Sequence, residues 1–372
     1  MPHINALLLE NFRSYDSLRL ESLESGLVLL TGANGAGKTN ILEALSLLAP
    51  GKGLRNTSHK EWQKQGTEKP WVISALVTDD DNPVQIGTTW VPEKAKRVFH
   101  LNGAPTRTQE DVLALLNFTW LTPKEDRLFV DAASDRRRFY DRLVFQYDAA
   151  HAGRVRRFEN AMRERNKILK EQGITNTTKA WLDSLEQQMA ETACAIGASR
   201  QEHLRHLQDT HEKQRDTLGF SPAPTQYALH GYIETLLIDN PALQAEEIYR
   251  KALEQNRKSD RDDEATALGP HRTDFTSMLL TKNQPAPLCS TGEQKALLFG
   301  LLLAQAEALN IYKGIKPILL LDDVAAHLDA DFRGNILKSL LRFGTQTWVS
   351  ATGLDVLEPL PESFKHITVG SH

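Results

Sequence analysis

Short apolar runs, separated by Gly, Pro, Asn and Asp, fill residues 1 to about 130 and predict strands. These runs are residues 6–9, 27–30, 71–77, 84–90 and 98–101. One segment differs, because from Lys38 to Leu48 the apolar residues recur at helical spacing until Pro50-Gly51 ends the pattern. The pattern therefore predicts a strand-rich region in which one helix follows directly on the second strand.

At Ser134 the pattern changes to long charged segments that carry apolar residues three and four positions apart. This spacing predicts a mostly helical lobe over residues 134–260, interrupted at 218–224 and helical again at 245–256. Several histidines of this lobe are expected to be exposed to solvent: His203, His206 and His211.

Strand-like runs return after Thr266, with a strand at 275–280, a helix at 292–309 and a buried strand at 317–321. The sequence thus predicts an α/β fold with a mixed sheet and helices. Its main domain is formed by residues 1–133 and 261–372, and residues 134–260 are a helical lobe inserted into it.

A glycine-rich segment joins the run at 27–30 to the helix that begins near Lys38, the strand-loop-helix context of a P-loop. Its small residues let backbone N–H groups close around phosphate oxygens, while the lysine neutralises the terminal phosphates and the threonine ligates Mg²⁺. The segment predicts ATP binding by these residues: Gly32, Ala33, Asn34, Gly35, Ala36, Gly37, Lys38, Thr39 and Asn40.

Two carboxylates, Asp322 and Asp323, end the apolar run 318–321, at the strand end where α/β sheets place their ligands. We expect Asp322 to hold Mg²⁺ through water and Asp323 to polarise the attacking water, because phosphoryl transfer needs an oriented nucleophile. An exposed acidic pair at a strand end is the simpler alternative.

The segment Ser290-Thr291-Gly292-Glu293-Gln294 opens a helix and, taken alone, is only a capping box. After a P-loop and before the acid pair, it resembles the signature motif of ABC-type ATPases, which binds the γ-phosphate held by a second subunit. The resemblance implies that Ser290, Gly292, Glu293 and Gln294 act in trans in an ATP-sandwiched dimer. The resemblance to ABC-type ATPases includes Asp329, in a segment that looks like the D-loop. It also includes Thr352, at the position where transporters have a switch histidine.

Composition and charge limit the kinds of partner, location and cysteine chemistry that the sequence predicts. The net charge is -4, so any nucleic-acid binding must use a local patch. The apolar runs are far shorter than the roughly 20 residues of a membrane helix, and no signal-peptide pattern opens the chain, so we expect a cytoplasmic protein without a membrane partner. Cys194 and Cys289 are far apart and predict neither a disulfide framework nor a zinc site.

Lys38 and Ser290 lie 252 residues apart, an interval typical of the SMC-like branch, yet too short for a coiled coil with a hinge or hook. The whole chain resembles the RecF family of bacterial DNA replication and repair ATPases. The resemblance rests on these segments: Asn11-Phe12-Arg13-Ser14-Tyr15, residues 32–40, residues 121–126, residues 136–141 and residues 268–274. It implies that Arg13 lies against the nucleotide and that Glu125 and Asp126 belong to a Q-loop-like turn that senses the γ-phosphate.

Residues 131–170 contain eleven Lys or Arg against six Asp or Glu, a local surplus of positive charge. Such helices could neutralise DNA phosphates, although a solvated, salt-bridged helix face explains the charge equally well. The family resemblance favours DNA binding, with these candidates: Arg136, Arg137, Arg154, Arg156, Arg157 and Arg163.

The resemblance implies an ATP-dependent dimer on duplex or gap-junction DNA that acts as a recombination mediator. It would help load the recombinase at gaps or stalled forks and support SOS induction, with RecR-like and RecO-like partners. Because Asp323 replaces the usual Glu, we expect weak, DNA-stimulated ATP hydrolysis that serves as a timer. The alternatives are an ABC ATPase head of a nuclease or defence system, for which no acidic effector domain is seen, and a transport ATPase, disfavoured by the 252-residue interval.

Overall fold

The computed structural model describes residues 2–79, 82–91, 96–106, 110–217, 223–323 and 330–370. The strands are β1 (His3–Phe12), β2 (Tyr15–Leu20), β3 (Leu27–Thr31), β4 (Val72–Asp79), β5 (Asn82–Val91), β6 (Lys96–Leu101), β7 (Ala104–Pro105), β8 (Phe118–Leu121), β9 (Thr225–His230), β10 (Asp274–Leu279), β11 (Gln284–Pro285), β12 (Ile318–Asp322), β13 (Thr347–Ala351) and β14 (Lys365–Thr368). The helices are α1 (Lys38–Ser46), α2 (His59–Trp62), α3 (Glu110–Leu115), α4 (Ala133–Tyr147), α5 (His151–Glu171), α6 (Asn176–Thr217), α7 (Tyr232–Asp239), α8 (Ala242–Gln255), α9 (Arg257–Asp262), α10 (Thr291–Lys313) and α11 (Ala330–Phe343). The strands and the one helix predicted for residues 6–101 are confirmed.

A five-stranded parallel sheet has the order β14-β3-β13-β12-β8. Every residue of β3, β12 and β13 is buried, as expected for a parallel sheet covered on both faces. The carboxyl ends of β3 and β12 therefore lie at the same edge, separated by β13. This edge carries the glycine-rich loop after β3 and the acid pair at the end of β12.

A second, antiparallel sheet has the order β2-β1-β4-β5-β6-β7. In β1 and β4 buried and partly exposed residues alternate, the pattern of strands that pack one face on a core. Ile4, Leu7 and Leu9 of β1 and Ile73 of β4 belong to that buried face.

The chain forms two compact units. The first comprises the described residues of Met1–Asp126, Lys213–Pro222 and Leu298–His372, and the second comprises Arg127–Glu212 and Ala223–Leu297. The second unit contains α4, α5, α6 as far as Glu212, α7 to α9 and a three-stranded antiparallel sheet of order β11-β10-β9. The predicted, mostly helical lobe of residues 134–260 did not include β9, whose partner strand β10 lies outside that range.

The expected exposure of the lobe histidines is wrong for His203 and His211, whose exposed fractions are 0% and 1%. Both lie on α6, where His203 Nδ1 bonds to Tyr140 Oη at 3.0 Å and His211 Nδ1 to Tyr227 Oη at 3.2 Å. Tyrosine hydroxyls from elements distant in sequence satisfy the ring nitrogens, and this lets the histidines be buried.

Two helices are long, α6 with 42 residues and α10 with 23 residues. In α10 the residues Leu297, Leu301 and Leu303 are fully buried, whereas Thr291 and Gly292 at the helix start are exposed. Within the described parts of the chain, no helix combines the length and apolarity required to cross a lipid bilayer.

Candidate nucleotide-binding site

The loop between β3 and α1 has a backbone that only glycine tolerates at two positions. Gly32 and Gly37 have φ angles of 154° and 104°. A Cβ at Gly32 would lie 2.3 Å from the carbonyl oxygen of Val369, and one at Gly37 would lie 2.4 Å from Tyr15 Oη. The loop is therefore tightly held, and it delivers its backbone N–H groups to the N-terminus of α1, which favours anions.

Lys38 begins α1, and its side chain folds back over the loop. Its Nζ donates to the carbonyl oxygens of Gly32 at 2.6 Å and Ala33 at 2.9 Å, and only 7% of the residue is exposed. Asn34 and Gly35 are exposed at the loop tip, and the backbone N–H of Ala36 donates to Ala33. The loop thus keeps a positive charge beside the amides expected to bind phosphates.

Thr39 and Asp322, 283 residues apart, meet at the sheet edge, where Thr39 Oγ1 donates to Asp322 Oδ1 at 2.9 Å. Asp322 is 5% exposed, and this burial raises the pKa of its carboxyl, an effect opposed by the hydroxyls of Ser350 and Thr39. A hydroxyl and a carboxylate oxygen side by side are hard donors that fit Mg²⁺, which binds one or two protein oxygens together with phosphates and water. The predicted metal ligands are thus brought together.

Asp323 follows in a left-handed conformation, with a φ of 51°. Its backbone N–H donates to Ser350 Oγ at 2.9 Å, and the same Ser350 hydroxyl donates to Asp322 Oδ1 at 2.8 Å. Sequence reasoning missed Ser350. The only signal was a hydroxyl residue inside the otherwise apolar strand run Trp348-Val349-Ser350-Ala351.

Arg13 lies beside α1 but is engaged by a carboxylate. Its Nε and Nη2 donate to Glu43 at 2.8 and 2.7 Å, and Arg55 Nη1 reaches Glu43 at 3.2 Å and Asn40 Oδ1 at 3.0 Å. Glu43 is fully buried, one turn after Thr39. Its single carboxylate among the apolar residues of the helix was a signal that could have identified this cluster.

The predicted γ-phosphate sensors have different surroundings. Glu125 lies in a 3₁₀ turn, is 8% exposed, and accepts bonds from the backbone N–H and hydroxyl of Thr122 at 2.9 and 2.6 Å. Asp126 is half-buried, and Thr352 is exposed just after β13. Asp329 lies outside the described residues.

The capping box at the start of α10 is confirmed. The backbone N–H and the hydroxyl of Ser290 each donate to Glu293 Oε2 at 2.9 Å, and the Glu293 N–H returns to Ser290 Oγ at 3.3 Å. Gln294 is buried and donates to the Cys289 carbonyl, whereas Gly292 is exposed and a Cβ added there would meet no described atom within 4 Å. The helix start is therefore ordered and accessible.

Lys282, which sequence reasoning missed, joins this helix start. Its Nζ lies 2.5 Å from Glu293 Oε1, and this bond, followed by those from Ser290, lowers the pKa of Glu293 to about 2. The carboxylate therefore stays ionised and paired across the physiological pH range.

Three of the candidate DNA-binding arginines have partners within the second unit. Arg136 forms a two-bond ion pair with Asp274, Arg137 donates to the Thr273 carbonyl at 3.0 Å, and Arg154 binds Asp148 and, at 2.8 Å, Ser199. Part of the positive charge of residues 131–170 is therefore engaged in contacts inside the second unit.

The other candidates, Arg156, Arg157 and Arg163, are exposed on α5. Arg163 donates to Asn160, a neutral side chain. Arg156 and Arg157 make no ion pair with a described residue, and Arg156, Arg163 and Lys167 recur on one helix stripe. This stripe and the neighbouring Arg157 are the parts of the patch that are still able to contact an anionic ligand.

Known proteins with similar sequences support an ATPase site at the phosphate loop and the acid pair. Residues 3–368 match the family model of the RecF/RecN/SMC N-terminal domain. A "DNA replication and repair protein RecF" of Mesorhizobium japonicum is 40% identical over 370 residues, which span 99% of this chain and 96% of the relative.

Two solved structures share the fold. The first, the "recombination mediator protein RecF-ATPrS in RecFOR pathway", is 23% identical with a TM-score of 0.84, and the match covers 99% of this chain and 98% of that one. An Smc head domain from Pyrococcus furiosus, bound to the C-terminal domain of ScpA, is 17% identical with a TM-score of 0.53, covering 100% of this chain and 94% of the other. The predicted ABC-type ATPase fold is confirmed.

Proposed function

The chain belongs to the RecF family of DNA replication and repair proteins, and on this premise we propose that it is an ATP-dependent DNA-binding protein whose dimerisation is timed by slow ATP hydrolysis. The observation that carries the proposal is the contact between Thr39 and Asp322, which joins the phosphate loop to the acid pair. The relatives' names and their ATP-bound structures support the same function.

In the proposed site, the amides of residues 32–39 bind the phosphates of ATP and Lys38 neutralises their charge. Thr39 and Asp322 hold Mg²⁺, which supplies charge neutralisation at the phosphates. Asp323 orients the attacking water. Its carboxylate is one methylene shorter than glutamate, and the weak, DNA-stimulated hydrolysis that we expect follows from this less favourable reach.

The second half of the proposed site comes from another copy of the chain. The start of α10, with Ser290 and Gly292, presents a helix N-terminus on which Gly292 leaves open space. ATP bound to residues 32–40 of one protomer would be closed by this helix start from its partner, with Asp329 contributing to the same face. The resulting assembly is an ATP-sandwiched homodimer.

DNA is the proposed macromolecular ligand, bound at duplex or gap-junction backbone by the helical lobe, residues 134–260, inserted into the ATPase domain of residues 1–133 and 261–372. Relatives are described within the RecFOR pathway, so RecO-like and RecR-like proteins are proposed partners. The protein would act in the cytoplasm as a recombination mediator at gaps or stalled forks, aiding recombinase loading and SOS induction.

The experiment that tests this function is the solution mass measured with ATP, with and without duplex DNA. Wild type should dimerise with ATP. Lys38→Met should stay monomeric because it loses the phosphate charge, and Ser290→Arg should stay monomeric because a bulky cation fills the trans half-site.

Lys258→Ala serves as the matched control, since Lys258 is an exposed cation of the lobe without a role in the proposed site. It should dimerise as wild type does. A dimer that forms equally in all four proteins, or that ignores ATP, would contradict the proposed function.

A further inference from the structure

One buried hydroxyl touches both acidic residues at the end of β12. Ser350 is 1% exposed, lies on β13, and is the register partner of Asp322 in the parallel pair β12-β13. Its Oγ donates to Asp322 Oδ1 at 2.8 Å and accepts the backbone N–H of Asp323 at 2.9 Å. The hydroxyl's single proton and a lone pair are thus both used, one for each acidic residue.

The hydroxyls of Ser350 and Thr39 donate to the same oxygen of Asp322. Oδ1 accepts both hydroxyls, at 2.8 and 2.9 Å, while Oδ2 makes no hydrogen bond with a described residue. Two donors on one oxygen fix the rotation of the carboxylate in its buried setting. The second oxygen is thereby held in one direction.

On Asp323 the bond stabilises an uncommon backbone. A φ of 51° is rare for residues other than glycine and persists where neighbouring groups hold it, often at functional sites. The bond from its N–H to Ser350 is such a restraint. Without it, the backbone would relax towards ordinary strand geometry and carry the Asp323 side chain with it.

We propose that Ser350 is a positioning residue of the nucleotide site, which sets both the metal-holding carboxylate of Asp322 and the backbone of Asp323. This inference rests on the proposed function. Thr352, at the position where transporters place a switch histidine, is exposed and makes no side-chain hydrogen bond with a described residue. The link between β13 and the acid pair therefore runs through Ser350, two residues earlier.

The test compares Ser350→Ala with Ser350→Thr, which restores a hydroxyl. A fluorescent ATP analogue is titrated first in EDTA and then against Mg²⁺. Ser350→Ala should bind the analogue in EDTA as wild type does, because Lys38 and the loop are unchanged. Its Mg²⁺ midpoint should rise and its turnover at saturating ATP should fall, each about 10- to 100-fold, as for other residues that orient metal ligands. Ser350→Thr should recover most of both.

Ser339→Ala is the matched control, because Ser339 is also fully buried but, among the residues that the structure describes, its hydroxyl bonds only the Asn335 carbonyl in α11. It should leave the Mg²⁺ midpoint and turnover unchanged. Equal Mg²⁺ midpoints in Ser350→Ala and wild type would overturn the inference. The inference would also be overturned if Ser350→Ala lost binding of the ATP analogue in EDTA as well as its Mg²⁺ response. The same holds if Ser350→Thr failed to restore the Mg²⁺ midpoint and the turnover. Absence of nucleotide binding by wild type would instead overturn the proposed function itself.

Discussion

Arg136 and Asp274 form a two-bond ion pair that ties α4 to β10 across 138 residues of sequence, with both N–O distances at 2.7 Å. Their side chains are 15% and 25% exposed. Both residues belong to segments through which the sequence resembles the RecF family. The structure thus gives these two segments a shared role inside the second unit, where Arg200 adds a bond to the Pro270 carbonyl at 2.9 Å.

Arg136→Ala should therefore lower the free energy of unfolding, by about 2 kcal/mol, because it leaves Asp274 partly buried without its cation. Asp274→Ala should have a similar effect. In a double-mutant cycle followed by urea unfolding, the two changes should be non-additive by about 1 kcal/mol or more. Strictly additive losses would show that the pair contributes no coupling.

DNA affinity should depend on Arg156 and Arg157. Since each neutralised phosphate releases counterions, replacing both arginines with alanine should weaken binding to duplex DNA in the presence of ATP and reduce the slope of log affinity against log salt by about 1 to 2. The measurement is a binding isotherm at several salt concentrations. Lys258→Ala, on another helix of the lobe, should keep the wild-type slope, and an unchanged slope in the double variant would show that Arg156 and Arg157 do not contact DNA.

Stability should fall in mild acid because of His271. Its Nε2–H donates to the Thr266 carbonyl at 2.9 Å, and Nδ1 is buried without a hydrogen-bond partner among the described residues. Burial lowers the pKa of His271 from 6.5 to about 4, so the unfolded chain takes up the proton first. The neutral ring's contribution to the free energy of unfolding is complete above about pH 6.5 and declines as the pH falls towards 4, by roughly 3 kcal/mol.

His271→Gln keeps a donor for Thr266 but has no group that titrates in this range. Its free energy of unfolding, measured by urea between pH 7 and pH 4.5, should therefore decline less steeply than that of wild type. Identical slopes in the two proteins would assign the acid sensitivity to other groups.

Glu43 should stabilise the helix that follows the phosphate loop, α1. Its carboxylate is fully buried between Arg13 and Arg55, so Glu43→Gln should leave two guanidinium groups without their anion and cost about 2 kcal/mol in thermal or urea unfolding. The control is Glu21→Gln, whose pair with Arg19 is more than half exposed on both sides and should change stability by less than about 0.5 kcal/mol. A Glu43→Gln protein as stable as the control would contradict this role.

The sequence could predict those parts of the site that are formed by a few consecutive residues. Residues 32–40 and the pair Asp322-Asp323 each follow a short apolar run, and parallel strands bring their carboxyl ends to one edge. The capping box at Ser290 and Glu293 needs only four residues and was predicted for the same reason.

Relationships between distant segments could not be predicted. Ser350 becomes significant only when the register places it opposite Asp322, and register is only weakly encoded in strands that are buried on both faces. The sequence also could not tell which arginines of the lobe are paired internally: Arg165, for example, pairs with Glu186 and Asp260 and is completely buried. Strand β9 was missed because β10, the strand that it pairs with, lies about 50 residues later.

The order of strands in the parallel sheet has a consequence for biosynthesis. Strand β3, which leads into the phosphate loop, pairs on one side with β13 and on the other with β14, and both partners lie within residues 347–368. A nascent chain therefore carries a strand of four apolar residues and one threonine with both edges open until residues 347–368 have been synthesised. The strand that leads into the phosphate loop would be in place only after those residues have been made, and a stop codon before residue 347 would yield an aggregation-prone fragment rather than a weakened ATPase.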